Sequence, residues 1–106
     1  MHTYDLMGDV IDTMWGNLME AERYIKEAYE MKDSCRSYAD WCRTMAVGHM
    51  NFNESAKPVY DRLHERLREE PEHAHEIHGI MAIMNRQWNK IAKHTAEINS
   101  MIASYK

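Results

Sequence analysis

The chain has 106 residues, of which 44% are apolar and 28% charged, and its formal net charge is −4. That length allows one domain, residues 1–106, with a single modest core, and the composition is that of an ordinary globular protein. The acidic balance argues against a nucleic-acid phosphate binder, and nothing approaches the run of about 18 apolar residues that spans a membrane.

The first predicted element is a helix over residues 3–32. Tyr4, Met7, Ile11, Met14, Leu18, Ala21, Ile25 and Ala28 recur in alternating steps of three and four, which places them on one helical face. Asp5 and Asp9 lie near its start, where the helix dipole favours carboxylates. The opening residues lack the basic start and apolar run of a signal peptide, so a cytoplasmic protein is expected.

A second helix is expected over 34–69, with Asp33 and Ser34 offering consecutive N-cap side chains. Its seam reads Cys35, Tyr38, Cys42, Met45, His49, Phe52, Ala56, Val59, Leu63. Cys35 and Cys42 would stand about 10.5 Å apart at helical rise, beyond disulfide reach, so a reduced, buried pair is expected. Pro58 removes an amide donor and crowds the carbonyl four residues back. The heptad nevertheless continues in register across it, which favours a kink over a split.

The third helix is expected over 71–105, with Pro71 suited to its first turn. Its seam is Ala74, Ile77, Met81, Met84, Trp88, Ile91, Thr95, Ile98, Ile102, Tyr105. No segment alternates with period two. The expected fold is therefore all-α. Two short connections make it an antiparallel three-helix bundle of long helices, the second kinked near Pro58. Apolar and aromatic residues also flank the seams, including Trp15, Tyr24, Trp41 and Tyr60. This exceeds the width of one stripe and marks those four as candidate interface residues, for a protein partner or a homodimer.

Chemistry-bearing residues are few. His49 occupies a seam position, and its bland reading is a structural imidazole satisfied by Asn17 or Thr95. The sharper reading joins it to Glu22 and His94. The two turns would bring all three within about one helical turn, roughly 6 Å of axial rise, and Glu with two His is a zinc or ferrous ligand set. Glu72, His73, His75, Glu76 and His78 look more suggestive still. Yet Ala74 and Ile77 point inward, which turns Glu72 and His75 to solvent. No phosphate loop, nucleophile elbow or Cys-x-x-Cys occurs.

Glu20-Ala21-Glu22-Arg23-Tyr24-Ile25-Lys26-Glu27-Ala28, followed by Lys32-Asp33, Ala39-Asp40-Trp41, Met45-Ala46 and His49-Met50-Asn51, resembles small ferritin-like helical-bundle proteins of anaerobic bacteria and their phages. Ala96-Glu97-Ile98, Met101-Ile102 and Tyr105-Lys106 share the likeness. The resemblance implies a helical bundle, and a metal or redox role with iron or zinc as cofactor. The family's second helix presents Glu-x-x-His inward. Here the inward pair at that spacing is His49 and Phe52, and Glu22 is the first-helix carboxylate that matches.

The leading functional expectation is a non-enzymatic bundle, without cofactor, acting through protein–protein contacts as an adaptor, inhibitor or assembly component. The alternative is the ferritin-like metal-binding or redox protein using Glu22, His49 and His94. A third is a phage-type inhibitor of a host nucleic-acid-processing machine, with no direct nucleic-acid contact of its own.

Overall fold

A computed structural model describes residues 3–70 and 77–106. Three helices account for nearly all of them: α1 (Thr3–Met31), α2 (Arg36–Glu69) and α3 (Ile77–Ser104). No strand occurs among the described residues, so the fold is all-α. The Cα extents are 58 × 19 × 16 Å, and α2, about 51 Å long at helical rise, sets the long axis. The expected break at Pro71 and the acid–histidine run 72–76 lie outside the described residues.

The face expected for α1 is the face it buries. Met7, Ile11, Met14, Leu18, Ala21, Ile25 and Ala28 are all buried. Thr3 is buried as well, and its hydroxyl donates to Glu70 Oε1, tying the start of α1 to the end of α2. On α3, Ile91, Ile98 and Tyr105 are buried, while Met81, Met84, Trp88, Thr95 and Ile102 are half-buried.

On α2 the buried face is rotated from the expected seam, of which Cys42 is buried and Met45, His49, Ala56 and Leu63 are half-buried. The buried residues of α2 are Ala39, Cys42, Ala46, Met50, Asn53, Tyr60 and Leu67. Tyr38, Phe52 and Val59 are 40%, 53% and 50% exposed, and Cys35 is exposed too. Only Cys42 of the cysteine pair is buried. The physical reason is the residue size at the contact. Ala21 and Ala28 of α1 and Ala39, Cys42 and Ala46 of α2 are all fully buried in one core. Small side chains let two helices approach closely and multiply their dispersion contacts. The bulkier stripe then rotates outward.

The α1–α2 turn also departs from expectation. Cys35, with φ −151° and ψ 88°, is the N-cap residue of α2, and its side chain makes no cap hydrogen bond. The amides of Ser34 and Cys35 both donate to Met31 O, at 3.2 and 2.8 Å. These bonds close α1, and α2 starts at Arg36, after Asp33 and Ser34 instead of being capped by them. Pro58 lies inside an unbroken α2, which removes the split-helix alternative.

Pairs across α1 and α2 run in opposite senses along the chain. Asn53 Nδ2 donates to Met14 O, His49 meets Asn17, and Trp41 meets Tyr24. Pairs across α1 and α3 rise together: His94 with Trp15, then Met101 and Tyr105 with Tyr29. The α1–α2 contact is the extensive one, and α3 touches α2 least.

Candidate interaction surface

His49 is half-buried at the α1–α2 seam. Asn17 Nδ2 donates to Thr13 O at 3.1 Å, which fixes the orientation of that side-chain amide. Its Oδ1 is then left to accept, and it stands 2.6 Å from His49 Nδ1. That network assigns the proton to Nδ1. The imidazole also stacks on Tyr24, with centroids 5.8 Å apart and planes 18° from parallel. His49 is thus held between a carboxamide and a ring.

The other two candidate ligands are engaged elsewhere. Glu22 accepts from Lys26 Nζ at 3.1 Å. His94 meets the ring of Trp15 edge-on at 4.9 Å. Its buried Nδ1 lies 3.5 Å from Glu97 Oε2, too far for a good hydrogen bond, and has no other partner among the described residues. Among the described residues no group of three or more His, Cys, Asp or Glu is arranged to hold a metal ion. Glu22, His49 and His94 are not brought together as a ligand set.

Of the four expected interface aromatics, Trp41 stands most open, at 50% exposed. It is the centre of an aromatic ladder. Tyr24 meets it edge-on at 5.7 Å, and Tyr38 stacks on its other side at 5.9 Å. Arg23 lies over Tyr24 at 4.4 Å, and Glu20 accepts from the same guanidinium at 2.8 Å. That hydrogen bond holds the Glu20 carboxyl below its usual range. Trp15 and Tyr24 are half-buried. Tyr60 is only 4% exposed and stacks flat on Trp88 at 4.4 Å, so it serves the core and not a free surface.

Sequence reasoning missed the residues that continue this surface. Tyr38, Met45, Phe52 and Val59 follow one another at intervals of seven along the outer face of α2. Phe52, Ala56, Val59 and Leu63 form one wall of a groove of about 510 Å³, and Leu6 and Val10 of α1 form the other. The signal was present in the sequence: two apolar stripes run side by side on α2, one bulky and one rich in alanine. Reading the bulky stripe as core hid the surface.

The chain matches no protein-family model, no curated protein and no solved structure.

Proposed function

We propose that this chain is a non-enzymatic, antiparallel three-helix bundle that acts through protein–protein contact. In this reading α2 bends at Pro58, and the outer face of α1 and α2 receives an apolar helix from a partner or from a second copy. One observation carries the reading: the line of half-exposed Tyr38, Trp41, Phe52 and Val59 along a single helix face. Single exposed apolar residues are ordinary on a soluble protein, whereas a contiguous line of them marks an interaction site. Tyr38, Phe52 and Val59, with the half-buried Met45 between them, also recur every seven residues, the spacing of a helix–helix seam. An adaptor, an assembly component and an inhibitor of a host machine would all use such a face in the same way.

Light scattering of the purified chain over a range of concentrations tests self-association, with Phe52→Glu and Val59→Glu as paired variants. The expected outcome is a dimer that each charge substitution returns to a monomer without loss of helicity. A parent chain that stays monomeric would remove the second copy and leave a partner protein. Dimers unaffected by both substitutions would place the contact elsewhere and refute the assignment of this face.

A further inference from the structure

The outer face of α2 carries two parallel rows of residues. Tyr38, Met45, Phe52 and Val59 form the first. Trp41, Gly48, Ser55 and Arg62, all exposed, form the second, three residues further on at each step. Together the rows have the alternating three-and-four spacing of a complete heptad seam, about 36 Å long at helical rise. Gly48 is the one glycine of α2 and weakens the middle of that helix. A Cβ added there meets nothing within 4 Å, as at the other three glycines, so no contact inside the chain calls for its absence.

We propose that a second copy of this chain covers this face, with the two α2 helices antiparallel about a twofold axis at the level of Met50. The inference rests on the contact role proposed above for the face, and adds the occupant and its register. Such an axis sets each residue beside the one equally far beyond it, so the first row of one copy meets the second row of the other. Phe52 then meets the partner's Gly48, Met45 the partner's Ser55, Val59 the partner's Trp41, and Tyr38 the partner's Arg62. Large side chains fall on small ones at the centre, and a guanidinium lies over a ring at each end. The charge of Glu27 on α1 reaches the Tyr38 hydroxyl, so that guanidinium meets a carboxylate as well. The groove gives a second match. Val59 forms it with Leu6 and Val10, and this register lays the partner's half-exposed Trp41 at its mouth. Knob and hole stand on one molecule at equal distances from the axis, so one closed contact fills both grooves. A parallel pair would instead set Gly48 on Gly48, leaving a void, and Arg62 on Arg62, opposing like charges.

The test uses the whole chain carrying Cys35→Ser, which leaves the buried Cys42 as its one native cysteine. Spin labels at Asn51→Cys and, separately, at Glu65→Cys report distances between copies by electron paramagnetic resonance; both positions are exposed and lie beside the seam. Two labels at 51 should stand nearly level, whereas two at 65 should stand about 45 Å apart along the helices. Gly48→Leu is the second arm. It raises helix propensity and meets nothing inside the chain, so helicity should hold. The dimer should nevertheless weaken at least roughly tenfold, because the partner's Phe52 loses its place. A chain that stays monomeric, labels level at both positions, or growth into open chains would each overturn the inference. A dimer indifferent to Gly48→Leu yet broken by Phe52→Glu would overturn this register and leave the contact role of the face standing.

Discussion

Replacing Ala46 by Leu should destabilise the fold although it adds apolar surface, and replacing Phe52 by Ala should cost less than the loss of a buried ring. Phe52 is 53% exposed, so roughly half of its ring is already in water in the folded state. A Phe side chain carries about 200 Å² of surface, so truncation loses about 100 Å² of covered area. At about 25 cal/mol per Å² the cost is at most about 2.5 kcal/mol, and less once residual burial in the unfolded chain is counted. No cavity forms, because the groove is open. Ala46 is fully buried on the core-facing side of α2. Leucine there adds three carbons to a contact without room for them, and overpacking of this kind costs about 1–3 kcal/mol. Leu18→Ala provides the scale, since deleting a fully buried leucine costs about 2–5 kcal/mol. Urea unfolding followed by circular dichroism, at concentrations too low for association, measures all three. Were Phe52 in the core and Ala46 outside, Ala46→Leu would be neutral and Phe52→Ala would cost more than about 3 kcal/mol. That result would refute the register described for α2.

Burial raises the hydroxyl pKa of Tyr60, with the charge of Asp61 adding to it, and burial followed by the Asp40 hydrogen bond raises that of Tyr105. A group whose folded pKa is raised lends stability that is present below its unfolded value of about 10 and is lost as pH rises through the folded value. Melting temperatures should therefore fall in alkali above about pH 10, and Tyr60→Phe should shallow that fall. Chelation followed by dialysis should leave the melting temperature unchanged. Stoichiometric zinc or iron that survives dialysis and disappears in His49→Leu would instead establish a metal site involving His49.

The legibility of this fold differed from helix to helix. α1 carries one apolar face, mostly of large residues from Met7 to Ile25, so periodicity had one direction to find. α2 carries two faces. Tyr38, Phe52 and Val59 carry more apolar surface than Ala39, Cys42 and Ala46, yet the smaller residues are the buried ones. Periodicity reports where apolar mass lies around a helix, and it does not report how near a neighbour must come. The pairing of His49 with Asn17 could be estimated by counting residues from the turn, since helical rise is constant. Asn53 could not be foreseen in this way. A polar residue inside a core becomes intelligible only when the carbonyl it reaches, here that of Met14, has a position in space.

The polar ties described for α3 gather in its last turns. Tyr29 Oη donates to Met101 O at 2.7 Å, Tyr105 Oη to Asp40 Oδ1 at 3.0 Å, and Arg36 Nη1 to the Lys106 carbonyl at 3.0 Å. Further back, the contact with α2 is the sliding face of two rings, Tyr60 on Trp88. Stacked rings resist separation but tolerate lateral displacement, whereas hydrogen bonds have short reach and fixed direction. The end of α3 beside the α1–α2 turn is thus fixed in direction as well as in distance, whereas at the level of Trp88 the stacked rings fix distance more than direction.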